Sequence, residues 1–395
     1  MVIKMDQLIL WGVITAVVAV WFAGAKLAKK GEWHEDFLSL STSKSLLGIV
    51  AVLIVLHHLA QLLGNLQMEQ GPLAYLEYVG VCFVGLFFFF SGYGLFYSKN
   101  HSANYFKGFF RKRLSKVLVP FYFCIIIFVG FSLMMQMPMQ PAEMIAYLSG
   151  WWLLNNQMWY VVEIVFFYIA FYCVFRVVKK ETTGLIIMGI LIGIMVCASI
   201  LIGHGPECAS DKWLQGEWWF NTSFMFLFGM IAAKHEEKLL AFAKKHYIVI
   251  LVISTLATIG LGIPTISMVN AGSYYCEYEP SFTLATIFGI KFVTLLVQFS
   301  MVFFFVVCVL LIMMKVKCHN AVTKFLGKIS LELYLIHNLY LIMFGYIGIG
   351  NITQPALLVI VSLACSLLTA FVIHIPVTFI SNVIAGRKKQ TYSVR

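Results

Sequence analysis

The sequence predicts an all-α protein, a polytopic transmembrane helical bundle of about eleven spans. Three observations carry that reading. Of 395 residues, 61% are hydrophobic and 11% charged, whereas a soluble domain carries about a quarter charged residues. Apolar runs of about 20 residues, the length that crosses a hydrocarbon core of about 30 Å, recur along the whole chain. Positive charge gathers in alternate loops. A chain with mean hydropathy +0.90 has too little polar surface to cover a globule, so its solvent is the lipid bilayer.

The first span, 7–26, follows "MVIKMDQ" and shows no small-residue cleavage site, so it reads as a retained helix rather than a signal peptide. Further spans fall at 45–64, 79–98, 117–136, 158–178, 184–203, 218–233, 247–267, 288–314, 329–348 and 356–384. The seventh is short. The ninth and eleventh are long, as tilted or extended helices are. The loops leave no room for a soluble domain, and no internal repeat or low-complexity tract is visible. The chain divides into an extra N-terminal helix with its cytoplasmic loop (1–43), a membrane domain (44–384) and a basic cytoplasmic tail (385–395).

Charge sets the expected orientation. Basic residues follow odd-numbered spans: Lys26, Lys29, Lys30 and Lys44; Lys99, Lys107, Arg111, Lys112, Arg113 and Lys116; Arg176, Lys179 and Lys180. The pattern continues with Lys234, Lys238, Lys244 and Lys245, then Lys315, Lys317, Lys324 and Lys328, and ends at Arg387, Lys388, Lys389 and Arg395. The alternate loops carry Glu69, Glu77, Glu143, Glu207, Asp211, Glu277 and Glu279. The positive-inside rule puts the C-terminus in the cytoplasm, and an odd number of spans puts the N-terminus outside. The formal charge of +11 is then a topology signal spread over short loops, which argues against nucleic acid as a partner. Most of the nine cysteines lie in spans; Cys208 and Cys276 fall in outer loops, as a disulfide or as two free thiols.

Ionisable groups at bilayer depth are costly and face a cavity or a partner. "GIVAVLIVLHHLAQLLG" places His57 and His58 roughly 18–20 Å above the inner boundary. Adjacent helical residues point about 100° apart, so the two rings cannot serve one point equally. Glu163, in "WYVVEIVFFY", enters from outside to nearly the level of His58, and a carboxylate that deep needs a partner. His337 lies on a later helix with Glu332, and His374 on the last; a lone intramembrane histidine can also simply bond a neighbouring helix. A histidine in a water-accessible pocket is a plausible general base. Two function classes use one: an enzyme deprotonating a hydroxyl within the membrane, and a proton-coupled transporter or flippase. No metal set appears, since His57 and His58 lack the i, i+4 spacing by which one helix supplies two ligands.

Five segments in order, "GIVAVLIVLHHL", "FVGLFFFFSGYGLF", "FFRKRLSKVLVPFY", "NNQMWYVVEIVFFY" and "FLGKISLELYLIH", resemble the acyltransferase type 3 family of bacterial membrane O-acyltransferases. The resemblance covers residues 44 to about 345 and leaves span 7–26 as an addition to the family's ten. It implies transfer of an acyl group, most commonly acetyl, from cytoplasmic acyl-CoA to a hydroxyl of a cell-surface or lipid-linked glycan or similar acceptor. It implies a multi-pass protein of a bacterial plasma membrane, with acyl-CoA as co-substrate and no bound cofactor. His58 falls at the catalytic position, with His57 as its neighbour and Glu163 as the group that holds the imidazolium. Arg113 and Lys116, assisted by Lys107, Arg111 and Lys112, would take the donor's phosphates, and Ser91 would line the donor channel. Trp159 and Tyr160 are an interfacial belt or the acceptor mouth, and His337 joins the acceptor-binding set. The family pattern has Arg or Lys eleven residues before the catalytic histidine; here Leu47 stands there, and Lys44, one turn earlier, is placed to do that work. The chain ends after its last helix, without the fused hydrolase-like domain of some family members, so transfer is expected to finish in the membrane domain or with a separate partner. The sequence carries no signal of oligomeric state.

Overall fold

The computed structural model describes residues 5–137, 139–205, 212–215 and 220–386. Glu207, Cys208, Asp211 and the basic tail from Arg387 lie outside them. Fourteen α-helices are seen among the described residues: α1 Met5–Phe22, α2 Leu40–Asn65, α3 Gly80–His101, α4 Phe109–Arg113, α5 Ser115–Met134, α6 Pro141–Ser149, α7 Trp159–Val177, α8 Glu181–Ile202, α9 Phe224–Lys234, α10 Glu236–Lys245, α11 Tyr247–Asn270, α12 Leu284–Lys315, α13 Ala321–Tyr340 and α14 Pro355–Ile384. Ten helical segments are long and apolar enough to cross a membrane, as the hydropathy predicts. The fold is an all-α polytopic bundle.

The seventh expected span, 218–233, is the exception. Its helix, α9, has 11 residues, and the chain before it is a non-helical turn in which Asn221, Thr222 and Ser223 are buried. Short polar side chains compete for the backbone and favour turns over helix interiors. Irregular backbone at membrane depth is tolerated where protein covers it.

Local sequence sets the helix starts. The Ser39 hydroxyl accepts the Thr42 amide at 3.3 Å and begins α2; Asn320 and Thr323 form a capping box at α13. Each satisfies donors that a helix start leaves orphaned. Helix α1 fully buries only Leu10; Val13, Ile14, Val17, Val20 and Trp21 form a half-buried stripe packed on the bundle, and the opposite face is left to lipid. Helix α2, by contrast, is buried over most of its length and forms the axis of the bundle.

Glycines let the central helices touch. A Cβ on Gly48 of α2 would lie 2.3 Å from the Gly327 nitrogen of α13, and one on Gly327 would lie 2.2 Å from the Lys44 carbonyl oxygen. Gly92 of α3 and Gly229 of α9 interlock likewise, against the carbonyl oxygens of Phe226 and Phe89. Small residues at a crossing let helix backbones approach in lipid, where dispersion replaces the hydrophobic drive. Seven residues before Gly92 on the same helix, Gly85 packs under Val302 of α12.

The basic loops touch one another. Strand β1, Lys26–Leu27, pairs antiparallel with β2, Val316–Lys317. Lys315 lies 3.8 Å above the Trp33 ring, Lys244 pairs with Glu35 and Lys99 with Glu181, both at 2.8 Å, and Lys317 pairs with Asp36. The hydrogen bond from Lys317 holds the Asp36 carboxyl below its usual range. At the opposite end Gln7 bonds Glu69, Asn65 bonds Tyr346 and Tyr78 bonds Asn270. The bundle thus has one end where the basic loops meet and another where the alternate loops meet. Cys276 is buried with its thiol toward the Ile287 carbonyl; its expected partner Cys208 is outside the described residues.

Candidate active site

The site is built on α2, in the half away from the basic end. His57 and His58 diverge as helical geometry requires, and their environments differ. After α2 the chain turns back, and a 3-10 segment, Gly71–Leu76, brings buried Pro72 and Leu73 against the bundle. His57 Nδ1 donates to the Leu76 carbonyl at 2.7 Å. Its Nε2 lies 2.3 Å from where a Cβ on Gly80 would sit. His57 is therefore a buried pin that fastens the returning loop and the start of α3.

His58 faces a different neighbour. Its ring stacks on His337 of α13 with centroids 5.1 Å apart and planes 21° from parallel. Its Nδ1 donates to Gln61 Oε1 at 3.1 Å, which leaves Nε2 as the lone-pair nitrogen. His58 keeps some exposure, whereas His337 has none. His337 Nδ1 donates to the Tyr334 carbonyl at 2.6 Å, so its Nε2 is also a lone pair, buried and with no hydrogen bond. Sequence spacing could not place α13 against α2; the Gly48–Gly327 contact does so two to three turns below the histidines.

An apolar cavity of about 180 Å³ leads toward this pair from the basic end. Lys44, Leu47 and Ile54 of α2 line it, with Tyr160 and Tyr168 of α7 and Tyr334 of α13. His58 is one helical turn beyond Ile54, on the same face. Lys44 and Leu47 thus sit together on one wall, as expected if Lys44 stands in for a cation at Leu47. Ser91 lies 3.2 Å from the Tyr168 hydroxyl and beside that of Tyr160, at the cavity's edge.

At the basic end a larger pocket of about 620 Å³ is lined by Lys112, Arg113 and Lys116, by Tyr93, Tyr97 and Tyr105, by Ser43, and by three carboxylates, of which Glu35 and Asp36 are paired with Lys244 and Lys317 and Glu236 accepts from the Tyr93 hydroxyl. The guanidinium of Arg113 lies 5.5 Å from the centre of the Tyr105 ring. Ser43 and Lys44, and Lys116 and Val117, are consecutive residues on the two walls, so the basic pocket and the apolar cavity are neighbours along α2 and α5.

Two expectations need correction. Glu163 is wholly buried on α7, but its Oε1 accepts from Ser223, and Oε2 has no hydrogen bond. The groups that surround His58 are Gln61, His57 and His337, so no bond joins Glu163 to the imidazole; the turn before α9 claims it instead. Trp159 and Tyr160 are no interfacial belt, since both are buried against Phe88, with Tyr160 also 5.8 Å from Tyr334, ring to ring. Helix α7 starts below the bundle surface, because the Asn155–Asn338 bond (2.7 Å) draws the preceding loop inward. Tyr160 therefore lines the cavity rather than an acceptor mouth. His374, read as bonding a neighbouring helix, does so: its Nδ1 meets Glu332 Oε1 at 2.7 Å. Tyr334 and Gln61 were not foreseen; the signal available was their place one turn from His337 and His58.

The fold and these residues define a multi-pass membrane protein with a histidine site inside the bundle, one helical turn beyond a cavity that adjoins the basic end. The family model described as an acyltransferase domain, type 3, matches residues 46–375. The chain belongs to that family and is a membrane acyltransferase. No curated protein and no solved structure matches it.

Proposed function

We propose that the protein transfers an acetyl group from acetyl-CoA to a hydroxyl of a glycan or similar acceptor, with His58 as general base. The stacked His58–His337 pair beyond a cavity that adjoins a basic pocket carries the reading. Lys112, Arg113 and Lys116, with Glu35 and Asp36 of the same wall already paired to Lys244 and Lys317, would meet a nucleotide's phosphates, the tyrosine rings its base, and the apolar cavity the thiol arm. The thioester would then stop beside His58. A donor that loads from the basic end is a cytoplasmic one by the positive-inside rule, and the plasma membrane of a bacterium supplies the surface acceptors.

His58 Nε2 takes the proton of the acceptor hydroxyl as that oxygen attacks the thioester carbonyl. The tetrahedral adduct collapses, the carbon–sulfur bond breaks, and the departing thiolate recovers the proton from His58. Ester and free CoA result. Gln61 fixes the tautomer that leaves Nε2 unprotonated. Water exclusion matters, because an open thioester site loses acyl groups to hydrolysis.

Full-length protein in liposomes, given labelled acetyl-CoA and bacterial surface-glycan extracts, tests this. Free CoA released in step with labelled product is the expected outcome. Movement of an unmodified solute with no CoA release would overturn it in favour of a transporter. Mass spectrometry of surface glycans with and without the protein identifies the acceptor through a lost acyl increment.

A further inference from the structure

The polar groups around the apolar cavity are mostly committed. The Tyr160 hydroxyl is turned to Ser91, the Tyr168 hydroxyl is 3.2 Å from Ser91 Oγ, and Ser330 donates to the Gly327 carbonyl at 3.4 Å. Tyr334 differs. Its side chain lines the cavity, its residue is 5% exposed, and its hydroxyl has no hydrogen bond among the described residues. The oxygen lies toward the backbone amide of Tyr160, in the first turn of α7, without reaching hydrogen-bond geometry. An uncommitted buried hydroxyl costs about 1–3 kcal/mol, a cost that phenylalanine would avoid in the same volume. A tyrosine here calls for an acceptor that arrives with a ligand.

The neighbours say where that acceptor would be. Tyr334 is 6.1 Å from His337, ring to ring, and His337 is the residue on which His58 stacks. His337 thus has both the His58 ring and the Tyr334 ring as neighbours, and Tyr334, which lines the cavity, holds an unused O–H donor. A carbonyl group seated between them would present its carbon to the attacking oxygen and its own oxygen to the donor. The amide of Tyr160 and the start of α7 add positive potential on the same side.

We infer that the Tyr334 hydroxyl is a catalytic hydrogen-bond donor to the carbonyl oxygen of the bound thioester. This rests on the acyl-transfer reading above. As the acceptor oxygen bonds to the carbonyl carbon and His58 takes its proton, negative charge moves to the carbonyl oxygen. Tyr334 donates to that oxyanion, and the bond strengthens as charge develops, so it favours the transition state over bound substrate. When the carbon–sulfur bond breaks, the carbonyl re-forms, the thiolate takes the proton from His58, and Tyr334 keeps its own throughout.

Tyr334→Phe tests it, with acetyl-CoA turnover and thermal unfolding measured on the same purified full-length protein. Loss of one oxyanion donor is expected to lower kcat about a hundredfold while KM for acetyl-CoA stays within a few-fold. The unfolding temperature should hold or rise, because an unsatisfied hydroxyl has been removed. Wild-type kcat in Tyr334→Phe would overturn the inference. So would a fall in kcat that tracks a fall in folded protein, since that is a structural residue's signature. Wild-type protein that releases no CoA would instead overturn the acyl-transfer reading, and the inference with it.

Discussion

His58 of α2 stacks on His337 of α13 at 5.1 Å, and each ring gives its Nδ1 proton to an oxygen of its own helix. Both rings therefore turn a lone-pair Nε2 away from the helix that holds them. His58→Ala and His58→Gln are both expected to lose at least about a hundredfold in acetyl-CoA turnover, the lower bound of a general base. The glutamine variant is the sharper test, because an amide keeps a hydrogen bond but cannot carry the proton. Full activity in His58→Gln, by CoA release, would make this ring a structural one.

His57 should behave differently, although it is the adjacent residue. Its Nδ1–H satisfies the Leu76 carbonyl, and its ring fills the space beside Gly80. His57→Ala strands that carbonyl, with an expected stability loss of about 1–3 kcal/mol. Gly80→Ala pushes a methyl group into the ring and should destabilise by a similar amount. Thermal unfolding in detergent reads both. A His57→Ala protein of unchanged stability with no turnover would reverse the two histidines' roles.

The bundle was legible because lipid imposes a simple rule, long apolar runs with charge confined to their ends. His58 was legible through its depth and its motif. The site around it was not, for reasons visible in particular residues. Gln70, Gly71 and Pro72 read as an outer loop, yet the segment folds back to cap His57, a non-local contact that no periodicity encodes. Glu163 needed a partner, but the partner, Ser223, sits in a turn where the sequence reads as continuous span. Tyr160 looked interfacial because tyrosine and tryptophan at a span's end usually are; a buried asparagine pair draws that end inward.

The helix crossings give a test independent of chemistry. Gly48→Ala would set a methyl group 2.3 Å from the Gly327 nitrogen, and Gly229→Ala one 2.0 Å from the Phe89 carbonyl oxygen. Backbone cannot yield as a side-chain tip can, so each should cost at least about 1–3 kcal/mol. Gly130→Ala, with nothing within 4 Å, is the control and should hold or raise stability. Equal unfolding temperatures for the three variants would contradict the crossing geometry.

The basic pocket should govern donor affinity more than rate. Arg113→Ala or Lys116→Ala removes a charge from the wall of the 620 Å³ pocket, well short of the histidines. KM for acetyl-CoA is expected to rise roughly tenfold with kcat little changed, as for loss of a charge-assisted contact made equally in ground and transition states. The wild-type KM should also rise with salt, since the pocket is open to solvent and its charges are screened. A kcat effect without a KM effect would move these residues from donor binding to topology or folding.

Leu47 and Lys44 lie one turn apart on α2 and line the same wall of the apolar cavity. An arginine or lysine is expected at Leu47 from the family resemblance, so the nearest cation is displaced by three residues toward the basic pocket. A flexible lysine stem covers such a displacement by extending along the wall with its ammonium toward the donor. Lys44→Ala is therefore expected to raise KM for acetyl-CoA about tenfold, by loss of a charge-assisted contact. Leu47→Arg on that background returns a cation to the wall and should bring KM back to within a few-fold of wild type. Rescue by Leu47→Arg but not by Leu47→Met separates charge from packing. If Lys44→Ala leaves KM unchanged, the donor is held without a cation at this depth, and the phosphate contacts belong to the basic pocket alone.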